Sequence, residues 1–188
     1  MLGLISGILC VWLLIKENIW TFPIGLFYAL ITVVVVYNER LFADVVLNLY
    51  YVGMNAFGWY FWLFGGRTRR SQSGLEVGLI SLKQIAVMVL LVLGGTLLMG
   101  WTFATYSNAD LAYADSFTTF ASFVAMYLAA KKYLESWYLW FVVDVVQVAL
   151  YLVKGIELYA LLYLVYLAMA YWGWRAWKES LRQVAIEP

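Results

Sequence analysis

Histidine is absent from the 188 residues, and cysteine occurs once, as Cys10 within an apolar run. That excludes an internal disulfide and any His or Cys metal site, so no metal or other cofactor is expected. A membrane enzyme would also lack its usual base, since no paired deep carboxylates stand in for histidine. Charge is scarce, at 12% of residues, and the formal net charge of +1 points to no particular partner. What fills the chain is apolar: 65% of residues are hydrophobic and mean hydropathy is +0.84. A chain so composed needs lipid as its solvent. Spanning a bilayer core takes about 20 apolar residues per helix, so little length remains for a soluble domain. The apolar runs are long and continuous rather than alternating, which favours helices over a barrel.

Seven runs lie near 2–16, 20–38, 42–64, 82–100, 115–132, 136–153 and 157–178, so the fold class predicted is an all-α integral membrane protein of seven helices. The first run lacks a basic leader and a small-x-small cleavage site, so it reads as a span rather than a signal peptide. Pro23 suits the first turn of the second helix. With the N-terminus outside, Lys16, Arg67, Arg69, Arg70, Lys83, Lys131, Lys132, Arg175, Lys178 and Arg182 all fall on one side, leaving Arg40 and Lys154 opposite. The expected placement is therefore multi-pass in the cell (inner) membrane, N-terminus outside and C-terminus cytoplasmic. The stretch 65–81 reads as a cytoplasmic linker, 106–110 as an external loop, and Lys131 and Lys132 as orientation signals.

The ends of the chain resemble each other. Trp20 through Leu41 aligns with Trp137 through Leu158 at one offset, and after a two-residue gap GWYFW (58–62) aligns with GWRAW (173–177). A three-helix copy followed directly by another would be inverted, and the fourth helix restores its direction. The expected organisation is 3+1+3: residues 1–64, a first repeat; 65–112, linker, inverter helix and external loop; 113–188, a second repeat.

Polar residues follow helical stripes. Asp44, Asn48, Tyr51, Asn55, Gly58 and Trp62 share one face of the third helix, and Tyr159, Tyr163, Tyr166, Ala170, Gly173 and Trp177 share the matching face of the seventh. The sixth helix presents Trp137, Trp140, Asp144, Gln147 and Tyr151, with Asp144 the one charge near mid-membrane; the fifth presents Asp115, Thr119, Ser122 and Met126. Intramembrane polar groups normally face a bundle interior or wet cavity, and an unpaired carboxylate there costs about 2.5–3.5 kcal/mol on insertion scales. Candidate substrate contacts are therefore Asn48, Tyr51, Asn55, Trp59, Trp62, Ser122, Met126, Asp144, Gln147, Tyr151, Tyr163 and Tyr166. Bland roles compete: amides also act as interhelical glue. Trp59, Trp62, Trp174 and Trp177 fit an interfacial belt, and Trp20 and Trp137 fit it better still.

WTFPIGLFYALI, LFADVVLNLYYVGMNAFGWYFW, DSFTTFASFVAMYLAAKKYLESWYLW and LYLVKGIELYALLYLVYLAMAYWGW resemble the Pnu-type vitamin transporters over nearly the whole chain. Trp20 with Pro23, the GWYFW helix end, Asp115 to Thr119, and Trp137 to Trp140 followed by Tyr151 and Gly155 carry the resemblance. It implies a SWEET-like carrier, trimeric, that passes an unphosphorylated vitamin down its gradient while a cytoplasmic kinase traps the product. Nicotinamide riboside is the best-known substrate of that family, and related branches carry thiamine or nucleosides. This sequence has Asn48 and Met126 where nicotinamide riboside carriers have Gln, a pattern that resembles the thiamine branch. Losing two long amides removes hydrogen bonds to sugar hydroxyls, whereas a thiazolium cation suits aromatic faces, a thioether and a carboxylate. The reading leans to thiamine, with nicotinamide riboside the alternative and a non-transporting assembly subunit the rival class. One deep carboxylate favours facilitated diffusion by alternating access over ion coupling.

Overall fold

The structure, a computed structural model, describes residues 2–38, 42–66, 70–71, 74–106 and 111–186. Among the described residues there are seven helices: α1 (Leu2–Ile15), α2 (Thr21–Asn38), α3 (Phe42–Phe64), α4 (Leu82–Tyr106), α5 (Ala112–Ala130), α6 (Ser136–Val153) and α7 (Glu157–Ile186). All seven coincide with the apolar runs read from the sequence. Two short strands, β1 (Arg70–Ser71) and β2 (Gly74–Leu75), pair antiparallel within the linker. By length and composition alone, α4 and α6 suffice to cross a bilayer, while α1 and α2 hold shorter apolar stretches. Helices α3, α5 and α7 carry the polar stripes that lower their hydropathy.

Helix ends follow local chemistry. Ser81 and Gln84 form a reciprocal capping box before α4: the Ser81 N–H donates to Gln84 Oε1 (2.8 Å) and the Gln84 N–H to Ser81 Oγ (3.4 Å). Helix α7 has 30 residues, about 45 Å at 1.5 Å per residue, and so overruns a hydrocarbon core of about 30 Å. The sequence reading ended it at 178, because hydropathy marks where lipid stops rather than where the helix does.

Packing gives a closed ring. α1 touches α2, α2 touches α3, α3 touches α5, α5 touches α6, α6 touches α7, and α7 returns to α1. Helix α4 stands outside, against α5, with most of its surface unburied. Exchanging α1, α2, α3 with α5, α6, α7 maps this ring onto itself. The bounds of α2 and α6, and the starts of α3 and α7, differ by a constant 115 residues. The helix-end hydrogen bonds obey the same offset. After α1, Glu17 N–H donates to Leu14 O and Asn18 N–H to Leu13 O; after α5, Lys132 N–H donates to Ala129 O and Tyr133 N–H to Leu128 O. Both are Schellman motifs, and both put a non-glycine residue in the left-handed region, Glu17 at φ 54° and Lys132 at φ 57°.

That offset corrects the expected register of the second helix, which was 117. Phe22, not Trp20, stands where Trp137 does: Phe22 covers Gly58 and Trp137 covers Gly173. Neither glycine has room for a Cβ. Trp20 is 62% exposed and Trp137 2%, so the belt reading suits the first and fails for the second.

Candidate functional site

The core divides by level within the ring. At the end carrying the linker, Ile15, Phe22, Trp62, Leu75, Val77, Leu134, Trp137, Met169, Ala170 and Trp177 form one buried cluster. The linker is thus not a loose strap, since Leu75 and Val77 are 5% and 3% exposed and sit among helix residues. Gly78 bridges to Tyr133, and the Ile80 N–H donates to Glu135 Oε1 (3.2 Å). A second cluster, around Val92, Val124, Leu128 and Val143, joins α4 to α5 and α6. An apolar groove of about 330 Å³ opens between those three helices, apart from the stripes.

Above the tryptophans the stripes converge as a tyrosine cluster around one carboxylate. Tyr163 lies within electrostatic reach of Tyr51, Tyr151, Asp144 and Tyr166, and Tyr166 within reach of Asp144, Cys10 and Tyr28. The rings are ordered: Tyr151 stacks on Tyr159 (centroids 5.2 Å) and on Tyr163 (5.4 Å), and Tyr163 meets Tyr166 edge-on at 5.7 Å. The Tyr166 hydroxyl rests against Gly7 of α1, where a side chain would collide with it. Asp144 is 5% exposed. Among the described residues neither its carboxylate nor the hydroxyls of Tyr51, Tyr163 and Tyr166 have a hydrogen-bond or ion-pair partner. The three tyrosines are half-buried, and the polar atoms of this set keep some accessible surface, so the cluster borders open space rather than a sealed core.

The two halves differ in what they present. Asn55 of α3 is buried over Gly25 of α2, its amide nitrogen donating to the Tyr51 carbonyl at 2.8 Å. At the equivalent places the second half has Trp140 on α6 and Ala170 on α7, so large and small residues are exchanged. One wall is therefore amide and hydroxyl, the other aromatic and acidic. Toward the far end, Lys154 Nζ pairs with Asp115 Oδ2 at 3.0 Å, both partly exposed.

Of the twelve candidate residues, the structure brings together Tyr51, Asp144, Tyr151, Tyr163 and Tyr166, while Asn55 sits one turn from Tyr51 on α3 and turns to Gly25. Asn48 lies half-buried on the same face of α3 and has interactions of its own. Ser122, Met126 and Gln147 are half-buried, and among the described residues no hydrogen bond or ring contact joins them to the tyrosines. Trp59 is 39% exposed on another face. Trp62 belongs to the buried cluster below, meeting Trp177 at 6.2 Å. The side chain of Asp44 and residues 107–110 of the external loop lie outside the described residues. Sequence reasoning passed over Gly7, Cys10 and Tyr28, which carry no charge or stripe signal. It also read Lys132 as an orientation signal, whereas it is 6% exposed and ion-paired.

Comparison with known proteins places this arrangement. The nicotinamide riboside transporter PnuC of Escherichia coli (strain K12) is 25% identical over 209 residues, covering 96% of this chain and 85% of that protein. The riboflavin/roseoflavin transporter RibM of Streptomyces davaonensis is 25% identical over 178 residues, covering 94% and 83%. The crystal structure of the vitamin B3 transporter PnuC shares the fold, with a TM-score of 0.71 and 24% identity over 96% of this chain and 80% of that one. These relatives are transporters, not enzymes. The family described as nicotinamide mononucleotide transporter matches residues 1–179, and this chain belongs to it as a seven-helix membrane transporter of vitamins.

Proposed function

We propose that the chain carries nicotinamide riboside into the cell by facilitated diffusion, through the space enclosed by the six-helix ring. The observation that carries this reading is Asp144, a buried carboxylate without a protein partner among the described residues, within reach of Tyr163 and Tyr166. A pyridinium cation supplies the missing charge, and the tyrosine faces suit it through cation–π contacts. The opposite wall, with Asn48, Tyr51 and Asn55, offers hydrogen bonds to ribose hydroxyls. The name of the relative from Escherichia coli favours this substrate.

Thiamine is the second reading, and Met126 with Asn48 favours it. That argument needs Met126, half-buried on α5, beside the cation. The halves related by 115 residues rock about the site, exposing it first outside and then inside, with the basic linker end facing the cytoplasm. A cytoplasmic kinase then keeps the phosphorylated product inside, and the carrier works as a homotrimer.

Calorimetric titration of the detergent-purified protein with nicotinamide riboside and, separately, with thiamine decides the substrate. Tight binding of nicotinamide riboside alone supports the proposal. Binding of thiamine alone transfers it to the second reading, and binding of neither returns the question to a non-transporting subunit.

A further inference from the structure

Beneath the tyrosine cluster the ring is shut by aromatic rings and by the linker. Trp177 meets Trp62 at 6.2 Å and Trp137 edge-on at 5.4 Å, and Phe22 meets Trp62 edge-on at 5.0 Å. Leu75 and Val77 pack against this group from the linker. One cation joins the two halves and the linker at this level. Lys132, just after α5 in the second half, pairs with Glu17, just after α1 in the first half, at 2.8 Å. The same ammonium donates to the Leu75 carbonyl of the linker strand and lies 4.7 Å from the Trp62 ring centroid on α3. Glu17 and Lys132 stand 115 residues apart, at the equivalent left-handed position of each helix end. The pair therefore bridges the two halves at matching points.

We infer that Lys132 is the positioning residue of the gate at the linker end, holding both halves and the linker strand closed below the site until substrate-driven rocking separates it from Glu17. The geometry has the features such a latch needs. It crosses between the bodies that must move, and it sits below the substrate cluster rather than in it. Because both partners are largely buried, removing one leaves the other charge without compensation. A latch of this kind biases a two-state equilibrium, so weakening it raises the fraction of molecules open at that end. The inference rests on reading the enclosed space as the transport path, though not on which vitamin uses it.

The test places a reporter thiol within the closure, at its edge toward the tyrosines: Ala170→Cys in a Cys10→Ala background, since Ala170 is 2% exposed and lies between Trp177 and Tyr166 on α7. Inside-out vesicles are treated with a charged, membrane-impermeant methanethiosulfonate, and the rate of thiol modification is followed. Lys132→Gln is expected to raise that rate about tenfold or more, and Lys132→Arg to leave it near the parent rate. Glu17→Gln gives the same increase and carries the test should Lys132→Gln not fold. Parent-like rates in both the Lys132→Gln and Glu17→Gln proteins would overturn the proposal. Thiol modification is read without substrate, so a failed titration with nicotinamide riboside and a failed gate are distinguishable.

Discussion

Replacing Asp144 with Asn separates a substrate contact from a structural one, because the two roles predict opposite signs in two assays. In the ligand-free protein the carboxylate is 5% exposed and has no hydrogen-bond or ion-pair partner among the described residues. A carboxylate kept charged at that depth costs about 2.5–3.5 kcal/mol on insertion scales, so at alkaline pH, where it is ionised, the neutral amide should make the empty protein more stable. Thermal unfolding in detergent is expected to shift upward. Binding should change the other way. A cation about 4 Å from the carboxylate gains about 4 kcal/mol at an effective dielectric constant of about 20. Part of this is offset by desolvating the ligand, so a net loss of about 2–3 kcal/mol is expected, or about 30–150-fold in Kd. Calorimetric titration with nicotinamide riboside reads it, and an uncharged nucleoside serves as the control whose binding should barely respond. An Asp144→Asn protein that binds the cation like the parent, or that melts lower, would refute the reasoning.

Other substitutions test the remaining structure. Tyr163→Phe keeps the stack on Tyr151 and should cost affinity only a few-fold, whereas Tyr163→Ala, which removes the ring, should cost about 1–2 kcal/mol more by titration. Gly173→Val drives a side chain into Trp137 and should destabilise the protein by about 3 kcal/mol or prevent folding. By contrast, Gly53→Ala meets nothing within 4 Å and should stabilise its helix by about 0.5–1 kcal/mol, both read by thermal unfolding. Lys154→Gln breaks an exposed pair with Asp115 and should change stability by no more than about 1 kcal/mol, less still in high salt.

The apolar runs marked all seven helices because the bilayer imposes a length and a polarity that few local details override. Stripe spacing likewise aligned Tyr51 with Tyr166 and Asn48 with Tyr163, since helical periodicity fixes which side chains share a face. Periodicity does not say which helix a face meets. That is why Trp62 and Trp59 counted as equals of Tyr163 in the sequence, although one lies in the closure and the other points away. The packing of the linker went unread for a different reason. Polar GGRTRRSQSG marked residues 65–81 as a linker, and the alternation of Leu75, Glu76 and Val77 after it is the period of an extended segment with one buried side; both apolar residues are buried. The partnership of Lys132 with Glu17 joins residues far apart in sequence through the 115-residue offset. The 117-residue alignment of the second and sixth helices pairs Trp20 with Trp137 on residue type and hides that symmetry. Packing of Phe22 on Gly58 and Trp137 on Gly173 reveals it.

Counterflow in proteoliposomes tests the central claim most directly. Vesicles containing the purified protein are loaded with unlabelled nicotinamide riboside, diluted into a trace of the labelled compound, and held without proton or sodium gradients. The account predicts transient accumulation of label inside, abolished when unlabelled substrate is left out and strongly reduced in the Asp144→Asn protein. No accumulation without an imposed ion gradient would contradict uncoupled carriage, and accumulation of labelled thiamine but not of nicotinamide riboside would contradict the substrate assignment.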